Sequence, residues 1–524
     1  MKKQEQLERA VRNGLKILGE DPSVQEGLVF ASANERDIGR LVYTSHIPCN
    51  GVQELKSGAD FGISVHVRFT DGTVGFGQEA NDLSGKAIRA ALEKARASAI
   101  SDPDFHGFPS PEKITGSPVP QSRYDAESME LTPAKRADLL ARLSWETLQG
   151  AFHAFETYLA QKDITPEDAG FIVSGDQFLI RERMALGTTT GLFEHDQSAI
   201  ALSFLTAMVE GEESKGSSWG ALPMVADVRP FDIGFEAAQN AMQGVGHERV
   251  PSGRYTVVFG PQAVVDLFEL LKTSLHIGVV EAGGGIFVEP RHFPELEHPV
   301  PQSRFGQQVA SELLTVYDDA SIPGFAGTKR VTCEGYPTGR VELIRDGCLA
   351  GFLTDHYMTH KILNRADSLR TIGMTLEQAA ELLVPRSGFR FSRGGGRVAA
   401  SVPSPEATNV FIESREKLSD EELLARAGEG LYIGRLWYTY PVGGYSTGDI
   451  SGTAIADSYR IRNGKLAEPI TPNSLRLNEN LKKMLRNIIG IAQEQRGTIC
   501  WASDQIVYAP WIAVKDVNFT EIGK

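Results

Sequence analysis

Apolar and polar residues alternate with a period of two from Phe61 to Glu79, around the dipeptide Asp71-Gly72. An Asp-Gly turn between two alternating runs predicts a β-hairpin, because both turn positions take positive φ there. The period then changes. Ser84 stands before Ala87, Ile88, Ala91, Leu92 and Ala95, which share one face at helical spacing and predict a capped helix. Leu7, Ala10, Val11, Leu15 and Leu18 recur in the same way near the N-terminus. Residues 133–160 read as one long helix carrying Leu139, Leu140, Leu143, Trp145, Leu148 and Phe152. Short strand patterns are expected from Phe171 to Val209, and a further helix from Phe231 to Met242.

Turn chemistry at Pro251-Ser252-Gly253 places a domain boundary near 245–253, which divides the chain into 1–250 and 251–524. Beyond it come a strand at Arg254–Phe259, an apolar helix from Pro261, and two hairpins, across Asp346-Gly347 and Asn463-Gly464. The predicted fold class is α+β: an N-terminal α/β domain, and a C-terminal domain built on a large, mostly antiparallel sheet.

Composition narrows the function classes. A chain of 524 residues with 41% hydrophobic and 23% charged residues is expected to be globular and to exceed one core. A net charge of −14 argues against a nucleic-acid partner, whose affinity rests on neutralising phosphates. The sequence holds no apolar run of membrane-spanning length. Charged residues occupy the start, Met1 to Arg12, where a signal peptide needs an apolar region. Cys49, Cys333, Cys348 and Cys500 are scattered, and the expected location is the cytoplasm.

Candidate chemistry is sparse. Gly444-Tyr445-Ser446-Thr447-Gly448 has the form of a nucleophile elbow, but no histidine lies downstream of His360, so a tight glycine-rich turn is the better reading. His356 and His360 stand four apart without an intervening glutamate, which leaves them as surface or supporting groups. His276 and Glu281 have no metal-ligand spacing. His292 and His298, with Glu295 and Glu297, fall in a proline-rich loop. Gly283-Gly284-Gly285 lacks the Lys and Ser/Thr of a phosphate loop. Residues 385–406, rich in Gly, Ser and Pro, read as a flexible surface loop, or as a lid that brings Arg386, Arg390, Arg393 and Arg397 to an acidic ligand.

A collinear series of short motifs resembles the TldD/PmbA family, the modulators of DNA gyrase. It begins with Gly62 to Arg68 and Gly75-Phe76-Gly77, then Pro251 to Pro261, Tyr317-Asp318-Asp319 and Cys333-Glu334-Gly335. It continues through Leu343 to Gly347, Thr408 to Glu413, Gly430 to Gly434, Gly443-Gly444, Thr447-Gly448-Asp449 and Tyr459 to Lys465. The resemblance implies dimers that enclose a channel for an extended peptide, with two kinds of subunit. One kind carries H-E-x-x-x-H and a distant cysteine, binds zinc and cleaves peptides. The other lacks these ligands and pairs with the first.

Counted from Gly260-Pro261, the family histidines fall on Phe268 and Thr273, and the general-base glutamate on Glu269. Phenylalanine has no lone pair for zinc and a neutral threonine is a poor ligand. The resemblance is therefore to the subunit type without the motif, the PmbA/TldE-like one, with no zinc site of its own. Cys500 occupies the region of the family cysteine, though its surroundings differ. The implied partners are a second copy or a TldD-like peptidase, and an extended peptide, with Gly443, Gly444, Tyr445, Thr447 and Gly448 as channel candidates. Two alternatives stay open: a metal-independent peptide-binding protein, and a peptidase with a relocated metal site among His276, Glu281, His356, His360 and Cys500. Burial of Phe268 beside Leu267, Leu271 and Leu275 is expected if the ancestral pocket has become core.

Overall fold

The computed structural model describes residues 3–47, 49, 51–114, 116–118, 129–392, 395–499 and 505–523. The N-terminal half is an antiparallel sheet with helices packed on it. Helix α1 (Lys3–Glu20) leads into β1 (Val24–Thr44), β2 (Lys56–Phe69), β3 (Thr73–Ala80), α2 (Gly85–Ala97) and the short β4 (Ile100–Ser101). Helix α3 (Pro133–Lys162) precedes β5 (Phe171–Thr188), β6 (Phe193–Val209), β7 (Ser214–Leu222) and α4 (Pro230–Gln243). The seven strands lie in the order β4-β3-β2-β1-β5-β6-β7.

The Asp71-Gly72 hairpin joins β2 to β3 as expected, and Gly72 takes φ +86°. Helix α2 begins at Ser84, whose side chain accepts the Ala87 N–H, and buries the five expected apolar residues against β2 and β3. Gly75 and Gly77 let that helix approach: a Cβ at either would come 1.9 Å from a helix carbonyl oxygen. The segment 171–209 differs from the short strands expected. It forms two strands of 18 and 17 residues joined at the turn around Gly191. Strand β1, 21 residues long, has no counterpart in the sequence reading.

The two large sheets of the C-terminal half enclose one large apolar core. Strand β8 (Gly253–Phe259) is followed by α5 (Pro261–Lys272). Then come β9 (Thr315–Asp319), β10 (Arg340–Arg345), β11 (Cys348–Leu349), α6 (His356–Leu363) and β12 (Asn409–Glu413). The chain continues through β13 (Gly430–Pro441), β14 (Asp449–Arg462), β15 (Lys465–Pro469), β16 (Leu475–Asn480), β17 (Ile488–Ile491), β18 (Arg496–Thr498), β19 (Ile506–Ala509) and β20 (Ile512–Glu521). One sheet runs β11-β10-β9-β12-β19-β18, antiparallel except where β12 and β19 pair in parallel.

In the other sheet, β13 pairs with β8, β8 with β20, β20 with β16, β16 with β14, and β14 with β13 again. Five strands thus close into a ring, and only β15 and β17 hang outside it. Both predicted hairpins are present, with Asp346, Gly347, Asn463 and Gly464 all at positive φ.

The described residues of 385–406 are not an open surface loop. Short pairings at Gly388–Phe389 with Ser404–Pro405, and at Phe391–Ser392 with Gly396–Arg397, fold the segment back on itself. Arg390 and Arg397 are fully buried. Arg397 pairs with Asp196 at 2.8 Å and Glu182 at 3.3 Å, and Lys329 reaches Glu182 at 2.6 Å. Buried charges are tolerated only when paired in this way. Arg386 instead donates to the Arg340 carbonyl at 3.0 Å, and Arg393 lies outside the described residues.

Candidate functional site

Helix α5 starts where Gly260 leaves β8 and Pro261 fills a position whose N–H needs no partner. Its apolar residues recur so that Ala263, Val264, Val265, Phe268, Leu270 and Leu271 are buried. Phe268 is 3% exposed and packs among residues that include Leu267, Leu271, Leu314, Ile412 and Leu485, around a small apolar void of about 60 Å³. Burying such a ring contributes about 1.5–3 kcal/mol. Phe268 is a core position.

Glu269 points the other way. The Lys272 ammonium lies 2.9 Å from its Oε1, and the Gln505 side-chain amide donates to Oε2. Lys272 Nζ donates in turn to Gln505 Oε1 at 3.0 Å. The three side chains form a closed circuit. Glu406 stands near it: burial raises its pKa, and the charges of Lys272 and Glu269 pull in opposite directions. Thr273 caps α5 and opens a single 3₁₀ turn. A phenylalanine in the core, a threonine and a carboxylate already compensated by an ammonium are not a donor set for zinc. Cys500 lies outside the described residues.

The other candidates do not converge. The Nδ1 of His276 accepts the Gly278 N–H at 3.1 Å, and Glu281 receives Lys361 at 2.9 Å and Ser368 at 2.8 Å. His356, a buried residue rather than a surface one, has Nε2 2.9 Å from the Gly107 carbonyl and Nδ1 2.7 Å from the Tyr336 hydroxyl. A carbonyl only accepts, so Nε2 carries the proton and Nδ1 accepts from Tyr336. Both ring nitrogens are engaged. His360 lies one turn on, with its Nδ1 3.1 Å from the His356 carbonyl. Among the described residues, no group of three or more His, Cys, Asp or Glu side chains is placed to hold a metal ion.

The turn from 443 to 448 joins β13 to β14 and is held from within. Thr447 Oγ1 donates toward the Val442 and Gly444 carbonyls at 3.1 and 3.2 Å, and Asn480 donates to the Thr447 carbonyl. Gly443, Gly444 and Gly448 take positive φ. Tyr445 is exposed, and Ser446 Oγ accepts the Gly285 N–H at 3.3 Å. A serine placed in a turn between two antiparallel strands, with no histidine beside it, is no nucleophile elbow.

Residues 252–521, more than half of the chain, match the family model described as PmbA/TldA metallopeptidase C-terminal domain. The chain belongs to this PmbA/TldD family. A protein named metalloprotease from Methanothermobacter thermautotrophicus is 24% identical over 62% of this chain and 63% of its own length. A metalloprotease TldD homolog from Haemophilus influenzae is 24% identical over 57% of this chain and 56% of its own. The match thus spans less than two thirds of these two curated relatives. The crystal structure of TldE from Thermococcus kodakarensis superposes with a TM-score of 0.72 at 18% identity, covering 98% of this chain and 100% of that one. That likeness carries the PmbA/TldD fold across both halves. No helix among the described residues is long and apolar enough to cross a membrane.

Sequence reasoning had named Phe268, Glu269 and Thr273 but missed Lys272 and Gln505. Lys272 had a signal in its i, i+3 spacing from Glu269. Gln505, more than two hundred residues away, had none.

Proposed function

We propose that this chain is a PmbA/TldD-family subunit without a zinc site of its own, and that it pairs with a zinc-peptidase relative to process unfolded or modified peptides. The observation that carries this reading is the Glu269–Lys272–Gln505 circuit beside a core Phe268. A general base needs a metal-bound water to deprotonate. Here the carboxylate is bound to an ammonium of the same helix, and the flanking position offers a ring in place of an imidazole. We further propose two domains, 1–250 and 251–524, and a peptide channel passing the turn at 443–448. Exposed aromatic groups adjoin that turn: Trp437, Tyr438, Tyr440 and Tyr445. An extended peptide binds by main-chain pairing to a sheet edge. The closed ring offers none, so the edge must come from β15 or β17, or from another sheet.

The test is co-purification from the native host followed by peptide cleavage and elemental analysis. The expected result is a complex with a histidine-bearing relative, zinc counted only on that relative, and cleavage lost on chelation. Stoichiometric zinc on this chain alone, with chelator-sensitive cleavage, would overturn the proposal. A homodimer that binds peptides without metal would favour a metal-independent peptide-binding protein.

A further inference from the structure

A cavity of about 290 Å³ lies in the seam between the two halves of the chain. Strand β7 and helix α4 wall it on one side, and β13, β14 and residues 494–496 on the other. The volume is near the lower end of the range for small-molecule sites. Neither Glu269 nor the turn at 443–448 lines it.

Its walls carry four carboxylates, Glu236, Asp420, Asp457 and Glu494, against one guanidinium, that of Arg496. The guanidinium is already engaged. Two of its nitrogens meet Glu236, at 2.6 and 2.9 Å, and its carbon stands 4.5 Å from the centre of the Trp219 ring. Asp457 accepts from the Ser217 hydroxyl and N–H, and the charge of Arg435 acts on it. No such relief reaches Asp420. Burial, and then the negative charges of Glu494 and Glu421, push its pKa up to about 6. It does not cap its own helix, Asp420–Ala427, either: Ser419 and Glu422 form the capping box there.

Aromatic rings complete the walls. The Tyr432 ring centre stands 4.6 Å from that of Trp511 and 6.3 Å from that of Tyr459, with the planes inclined at 47° and 38°. All three rings are half-buried, and the charge of Asp420 reaches Tyr432. Ring faces and carboxylates both attract a cation, and what the walls lack decides which one. Among the described residues, no three His, Cys, Asp or Glu groups converge as a metal ion requires. A primary ammonium needs acceptors for three N–H groups. A methylated ammonium has none to satisfy, and its methyl groups pack on ring faces.

We infer that this cavity binds a small organic cation with a quaternary, methylated ammonium head. The head lies against Tyr432, Tyr459 and Trp511, and Asp420 and Glu494 supply the opposite charge. The assignment does not rest on the peptidase-partner reading and survives its failure.

Calorimetric titration of the purified full chain with choline tests it. The alcohol 3,3-dimethylbutanol has the same shape with carbon in place of the charged nitrogen, and ethanolamine has the charge without the methyl groups. The expected result is one choline per chain, bound at least tenfold more tightly than either. The double variant Asp420→Asn, Glu494→Gln is expected to weaken choline at least tenfold and to leave the alcohol unchanged. Glu494 is exposed, so Glu494→Gln alone, with a loss of at least threefold, decides the matter if the double variant does not fold. Absence of saturable choline binding, or binding unchanged by these substitutions, overturns the inference. Ethanolamine bound as tightly as choline overturns the role of the rings, and the alcohol bound as tightly overturns that of the carboxylates.

Discussion

The ammonium of Lys272 stands 2.9 Å from the carboxylate of Glu269, one helical turn back on the same helix. The positive charge that compensates Glu269 is therefore internal to the helix. Restoring the missing histidines alone does not reverse this. The double variant Phe268→His, Thr273→His is expected to retain well under one zinc per chain after dialysis. A divalent cation there would face the Lys272 charge and lack both a third ligand and an open fourth position. Elemental analysis at one zinc per chain would refute this.

Phe268→Ala is expected to cost about 3–5 kcal/mol, the range for a truncated core aromatic. The existing void beside Phe268 gives the new cavity room to merge rather than collapse. Denaturant unfolding measures it. A midpoint unchanged from wild type, with weakened peptide binding, would instead make Phe268 a ligand-contacting residue.

Asp318 is 1% exposed, and burial pushes its pKa up to about 7 although Thr408 donates to it. In the unfolded chain an aspartate titrates near 4. Between those values the folded state holds a proton that the unfolded state has released, so stability falls as pH rises through about 4 to 7. Asp318→Asn is expected to flatten that part of the profile. Melting temperatures from pH 4 to 8 test the claim, and identical slopes in both proteins would refute it.

Arg397 joins Glu182 and Asp196 of the N-terminal sheet to the segment 385–406, all three nearly inaccessible. Arg397→Met leaves two buried carboxylates short of a cation, and removing one partner of such a cluster costs about 3–5 kcal/mol. Equilibrium unfolding is the measurement. A loss below about 1 kcal/mol would mean that Lys329 compensates alone.

The parts of this fold that could be read from sequence are those whose cause is local. Asp346-Gly347 and Asn463-Gly464 dictate their hairpins through the positive φ of both residues, and Asp71-Gly72 through that of Gly72. Ser84 and the apolar face behind it dictate α2. Strand β1 escaped because its middle breaks the alternation with Asn34, Glu35, Arg36 and Asp37. Asn34 and Asp37 are nonetheless buried, because distant residues satisfy them: Asn34 donates to the Arg397 carbonyl at 2.6 Å, and Asp37 pairs with Arg181 at 2.9 Å. Arg390 and Arg397 looked like a basic loop for the same reason. Their partners lie more than two hundred residues away, beyond the reach of spacing or period.

The five-stranded ring also fixes an order of events during synthesis. Strand β8 is among its first members to leave the ribosome, and β20 is the neighbour that lies between β8 and β16. Until residues 512–521 emerge, β8 and β16 each keep an unpaired edge, and the core beneath them stays open to water. Unpaired edges recruit other strands, and contacts this distant in sequence form slowly. The nascent C-terminal half therefore keeps two strand edges open until β20 is made. A chain that stops short of 512 is expected to leave both edges unpaired and to aggregate.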